Sequence, residues 1–175
     1  VLIPDQTETL GGIDENVTRL ESWGVPYRID PVIEPIGFGF ARSLGRYLEI
    51  RERYPNAEIM MGIGNLTELT DADSAPINLV LLGFCQELGI RSVLTTAVIH
   101  WASTSVRECD LARKLVHYAC ANGTLPKHRE PGLHLLRDPS ILKHGPKEIE
   151  ELAAGLRDRN FRLFAEDGEL HVASS

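Results

Sequence analysis

Apolar positions recur along this chain in two alternating rhythms. Short aliphatic runs at 1–4, 26–30, 58–61 and 92–96 end in polar residues or glycine, as buried strands do. Between them the spacing turns helical. Ile13, Val17 and Leu20 form a stripe through a helix expected at 14–23, with Asp14 as its N-cap and Gly24 as its stop. Leu44 and Leu48 mark a second helix at 41–53, with Arg42, Arg46, Arg51 and Arg53 expected largely in solvent. A third, from about Ile77 to Leu88, is apolar nearly all round and calls for cover on more than one side. The fourth starts at Ser105, which with Glu108 matches a capping box, and runs to about Ala121.

Strands alternating with helices imply a parallel sheet joined by right-handed crossovers. Four such βα units equal half of an eightfold barrel, but they also suit a small open sheet with helices on both faces, and periodicity does not separate the two. The rhythm changes after Gly123. Residues 124–146, rich in Pro, Gly, His and basic side chains, read as an irregular linker. Residues 147–175 read as a small α+β appendage: a helix at 147–158, then strands at 161–164 and 169–172 around the hairpin signal Glu166-Asp-Gly168.

A net charge of −7 over 175 residues argues against non-specific binding to nucleic acid or to an anionic membrane. Cys85, Cys109 and Cys120 are odd in number and lack zinc or redox spacing, so they read as reduced core thiols in a cytoplasmic protein. No stretch has the apolar length of a membrane span or the pattern of a signal peptide. The chain opens on Val1, already within a strand pattern, and so reads as a piece of a longer one.

The candidate chemistry sits where the strands end. Asp5, Asp30, the turn Gly62-Ile-Gly-Asn65 and Thr95-Thr96 occupy the four carboxyl ends, which either parallel architecture brings together. Asp30 leads into a stiff apolar loop, and its carboxylate suits two hydrogen bonds from a planar heterocycle while Phe38 or Phe40 covers the ring. The plainer alternative is that Asp30 caps its own loop. Asn65 could complete the donor and acceptor pattern or satisfy its own loop. Glu68, Asp71 and Asp73 could hold Mg²⁺, or form a solvated loop ahead of a helix. His100 could move a proton, although a lone loop histidine is more often structural. There is no nucleophile elbow, dinucleotide fingerprint or P-loop.

These residues carry a family resemblance. Asp30-Pro-Val-Ile-Glu-Pro-Ile-Gly-Phe-Gly-Phe40, Met61-Gly-Ile-Gly-Asn-Leu-Thr-Glu-Leu-Thr-Asp-Ala-Asp73 and Leu94-Thr-Thr96 resemble the dihydropteroate synthase-related proteins associated with tetrahydromethanopterin biosynthesis, and the stretch 156–164 resembles that subgroup's tail. The resemblance implies the second half of a TIM-like (βα)₈ barrel. By that resemblance Asp30 holds a pterin, with Asn65 and the Gly62-Ile-Gly64 backbone lining the same pocket, while Phe38, Thr95 and Thr96 join the candidate binding residues from their places in the loop and at the fourth strand tip. The open edges of a half barrel point to a homodimer or to the missing half-barrel as partner. The synthases join a pterin pyrophosphate to an aminobenzene nucleophile. Their Ser-Arg-Lys and Arg-x-His runs are replaced here by Gly64-Asn65-Leu66 and Leu94-Thr-Thr96, so the resemblance implies a pterin site more strongly than it implies transferase activity; the alternatives are a non-catalytic pterin-binding protein and a structural or interaction protein with a vestigial pocket.

Overall fold

The computed structural model describes residues 1–134, 145–158, 160–166 and 169–173. The chain divides into two compact units, 1–137 and 138–175. In the first, helices α1 (Ile13–Ser22), α2 (Phe40–Arg53), α3 (Gly64–Thr67), α4 (Ser74–Glu87) and α5 (Ser105–Asn122) accompany strands β1 (Met60–Gly62) and β2 (Ser92–Leu94).

Among the described residues, all the strand pairing in this unit that crosses between βα units is parallel. Leu2 bridges Ile29 and Ile29 bridges Ile59, just ahead of β1; β1 then pairs with β2, Met61 opposite Val93. Neighbours therefore follow chain order, as expected for successive right-handed βα units. The strands are shorter than the sequence implies, for the runs at 1–4 and 26–30 contribute single bridges to the ladder. No barrel closes among the described residues; the architecture is mixed α/β with a small parallel sheet.

Side chains alternate across a strand, and here the two faces have different fates. Leu2, Ile29, Ile59, Met61 and Val93 face the helices and join one core with Ile13, Tyr47, Ile50, Leu81, Cys85 and Ala112. On the opposite face lie Ile3, Asp30, Met60, Gly62 and Leu94. Ile3 and Leu94 remain 56% and 59% exposed. Met60, at 8% exposure, is covered, so among the described residues this face is open at its edges, around Ile3 and Leu94.

Several local expectations change. Gly12, in the left-handed region, precedes α1, and Asp14 lies in the first turn, where Arg53 and the Tyr54 hydroxyl bond it. Helix α4 begins three residues before Ile77, because Pro76 in the first turn has no N–H that the helix would need. Arg46 is not solvated but buried among loop carbonyls, and the turn expected to be irregular after β1 winds into α3. Leu133, in the segment expected to be a linker, is buried in the first unit's core. Cys120 is exposed, unlike Cys85 and Cys109.

In the second unit, α6 (Pro146–Ala154) precedes the antiparallel pair β3 (Arg162–Glu166) and β4 (Glu169–Ala173), with Phe164 opposite His171. Asp167 and Gly168 of the hairpin turn lie outside the described residues. Among the described residues no helix is long and apolar enough to cross a membrane.

Candidate functional site

Asp30 follows the bridge residue Ile29, and the loop after it is held unusually tightly. Its Oδ1 accepts the Val32 amide at 2.9 Å and the Tyr47 hydroxyl at 2.7 Å. Val32 sits at φ 65°, a left-handed conformation that a β-branched residue adopts only under constraint. The constraint is Arg46 of α2. Its Nε donates to the Pro31 carbonyl at 3.0 Å, and its Nη2 reaches both the Val32 carbonyl and Glu34. Burial holds the Asp30 carboxyl above the usual carboxylate range, while Tyr47, the Val32 amide and Arg46 pull the other way.

The second oxygen is differently placed. Oδ2 has no hydrogen-bond partner among the described residues, and a Cβ on Gly62 would lie 3.6 Å from it. The glycine at the end of β1 thus leaves the space beside Oδ2 open. The loop-capping reading of Asp30 is seen at Oδ1, while Oδ2 has no partner among the described residues. A grip through both oxygens on one heterocycle edge is not available while Tyr47 and Val32 occupy Oδ1.

The neighbouring tips connect to this point. Asn65, at the start of α3, donates through Nδ2 to the Ile33 carbonyl at 3.0 Å, tying the turn after β1 to the Asp30 loop. Gly64 abuts the fourth tip: a Cβ there would lie 3.0 Å from Thr96 Oγ1, so glycine permits the approach. Glu68 locks the arrangement by accepting the Thr96 hydroxyl at 2.8 Å and the Val98 and Ile99 amides at 3.1 Å each. Burial works against its charge, yet these donors hold Glu68 below the usual carboxylate range.

Asp30, Gly62, Gly64, Asn65 and Thr96 are thereby linked through successive neighbours, and two of the expected site residues are not. Phe38 is 80% exposed at the loop tip and covers nothing, while Phe40 opens α2 and packs against the core. Thr95 turns to the helix side, where its hydroxyl meets Ser105 at 2.7 Å. Glu68 spends both carboxylate oxygens on the loop after β2. Among the described residues no group of three acidic, His or Cys side chains is poised to hold a metal ion.

Sequence reasoning missed a buried polar cluster behind Thr95. Glu108 accepts Ser74 at 2.6 Å, Asn78 at 2.8 Å and Thr104 at 2.5 Å, and Asn78 also donates to Ser105 at 3.0 Å. The capping-box pattern is real in sequence, but Glu108 points inward and fastens α5 to α4. A signal was present: Ser74 and Asn78 interrupt an otherwise apolar helix at i, i+4, one face of that helix. Tyr47 and Arg46 were missed too, because a tyrosine and an arginine on an amphipathic helix read as its surface.

Two cavities among the described residues lie away from these tips. One, of about 740 Å³, is lined by Leu79, Leu115, Leu133 and the stretch from Pro126. The other, of about 310 Å³, is lined by Tyr27, Tyr54 and Asn56.

The chain is similar to an uncharacterized protein of Methanocaldococcus jannaschii, with 30% identity over 130 residues, 71% of this chain and 25% of that protein. It thus spans about a quarter of the length of the curated relative it matches. No family model matches the chain. No solved structure matches it.

Proposed function

We propose that the first unit is the pterin-binding part of a longer protein of the dihydropteroate synthase-related kind. The ligand would sit at the carboxyl ends of the parallel strands, against Asp30 Oδ2, Gly62, Gly64, Asn65 and Thr96. The observation that carries this reading is the pairing of a partly buried, partnerless carboxylate oxygen with a glycine that keeps the space beside it open. A buried carboxylate kept above its usual range costs stability when ionised. Such groups cluster at functional sites.

Binding is favoured over bond-forming transfer by the state of Arg46. Stabilising a departing pyrophosphate calls for preorganised cations, and the guanidinium beside Asp30 is spent on Pro31, Val32 and Glu34. Any joining of a pterin to an aminobenzene compound would draw its cations from elsewhere in the longer protein. The same reading covers the exposed Ile3 and Leu94 of the sheet with further βα units, or with a second copy, to give a TIM-like barrel.

The test is titration of 2-amino-4-oxopteridine into the 175-residue chain, followed by pterin fluorescence. Saturable binding that Asp30→Ala removes, with the circular dichroism unchanged, supports the proposal. Identical titrations for the two proteins overturn it.

A further inference from the structure

The way Asp30 is held specifies more than the presence of a site. An ionised carboxylate has about four lone-pair directions, two on each oxygen. On Asp30 the Oδ1 pair is filled, by the Val32 amide at 2.9 Å and the Tyr47 hydroxyl at 2.7 Å. Neither donor is free to leave. Val32 is pinned through its carbonyl by Arg46, and Tyr47 is fully buried in α2, its ring edge-on to Phe84 with centroids 6.4 Å apart. A ligand that displaced Tyr47 would strand a hydroxyl donor in the core, which is unfavourable.

We infer that Tyr47 is a positioning residue that makes Asp30 meet its ligand through Oδ2 alone. The heterocycle therefore offers one ring N–H to Asp30, not a paired N–H edge. This rests on the binding role proposed above, and it names which edge of the ligand that role requires. Asn65 gives one Nδ2 hydrogen to the Ile33 carbonyl at 3.0 Å and keeps its second N–H and its Oδ1, so it accepts either kind of partner. The demand for a donor comes from Asp30 Oδ2, so an N–H-bearing ring is selected over one presenting only ring acceptors.

Tyr47 also sets the charge of the site. Its hydroxyl stabilises ionised Asp30 against burial. The other groups facing the carboxylate are Arg46 and its partner Glu34, and Cys85 from α4, whose thiol burial pushes up to about 12, so that it is neutral near pH 7. Removing the Tyr47 hydroxyl therefore moves the pH below which Asp30 is neutral to a higher value.

The experiment compares wild type, Tyr47→Phe and Gly62→Ala in pterin titrations from pH 5 to pH 9. In Gly62→Ala the new methyl sits at an ordinary contact distance of 3.6 Å from Oδ2, so the fold is kept while the ligand's approach is blocked. We expect Gly62→Ala to weaken binding at least tenfold with an unchanged unfolding midpoint. Tyr47→Phe should weaken it about tenfold and shift the acid limit of binding upward, a shift that a purely structural tyrosine would not cause. Tighter binding in Tyr47→Phe means that Oδ1 joins the grip once freed, and it overturns the inference while leaving the pterin site standing. Unchanged affinity in Gly62→Ala overturns it as well, and that arm decides the matter if Tyr47→Phe fails to fold. Absence of pterin binding in the wild type overturns the proposed function, and this inference falls with it.

Discussion

Replacing Glu108 by alanine tests whether the buried polar cluster holds α4 to α5. Glu108 is 1% exposed and accepts from Ser74, Asn78 and Thr104. The three donors fare differently once it is gone. Thr104 is exposed and turns to water, and Ser74 keeps the Trp101 carbonyl at 2.9 Å. Asn78 keeps Ser105 for one amide hydrogen but strands the other in a fully buried position, where its Oδ1 already lacks a partner among the described residues. One stranded donor costs about 1–3 kcal/mol, and two bonds to a charged acceptor exchanged for ordinary ones cost about 1 kcal/mol more. The expected loss is about 3 kcal/mol. With a urea slope of about 2 kcal/mol/M, the unfolding midpoint falls by about 1.5 M. Circular dichroism at 222 nm in a urea series measures it, and the double variant with Asn78→Ala supplies the control. With no stranded amide left, the double variant loses less than the sum of the two single variants. A midpoint shift below about 0.3 M, or strict additivity in the cycle, refutes the assignment.

Asp30→Asn keeps an acceptor for Val32 and Tyr47 while removing a charge that burial disfavours. The folded-state pKa of Asp30 is raised, so the wild type gains stability from it in acid and loses that gain as pH rises through the raised value. The variant should therefore be at least as stable as wild type at pH 7, with the difference shrinking toward pH 4, as read by urea midpoints at both pH values. A destabilised variant at pH 7 would show that the carboxylate is structural. Thiol labelling with an aromatic disulfide reagent should modify Cys120 quickly in the native chain. Cys85 and Cys109, buried and pushed up to about 12 and about 11, should react only after denaturation; rapid modification of all three would contradict the packing of α4 and α5.

Much of the layout is legible in the sequence because local signals and tertiary packing agree. In α1 the stripe buries Ile13 and Val17 as its spacing nominates, and parallel neighbours follow the order of the aliphatic runs, but α2 turns Leu48 out to 47% exposure and buries Tyr47 and Ile50 in its place. Agreement fails where one residue answers to a distant partner. The extent of strand pairing at Leu2 and Ile29 depends on ladder bonds to other segments. Arg46 looks solvated by periodicity, yet loop carbonyls fifteen and fourteen residues earlier draw it inward. Helix α3 hides in a run whose glycines argue for a loop, because a single turn needs little propensity once Glu68 and Asn65 are fastened outside it. For the candidate site, the strand-tip reading expects Asp30, Gly62, Gly64, Asn65 and Thr96 near one another, and the structure has them linked through successive neighbours. The strand tips do not show which carboxylate oxygen is open, since that depends on Tyr47 reaching back across seventeen residues. Phe38 reads as a lid by composition alone, and nothing in the loop turns it inward.

The central claim is that side chains ending successive parallel strands share one ligand site. Amide chemical-shift mapping of the ¹⁵N-labelled chain during a pterin titration measures it directly. The account predicts that the amides of Asp30, Gly62, Gly64, Asn65 and Thr96 move together and saturate at one concentration. Shifts confined to Leu79, Leu115 and Leu133 around the separate cavity, or no shifts at all, would contradict it.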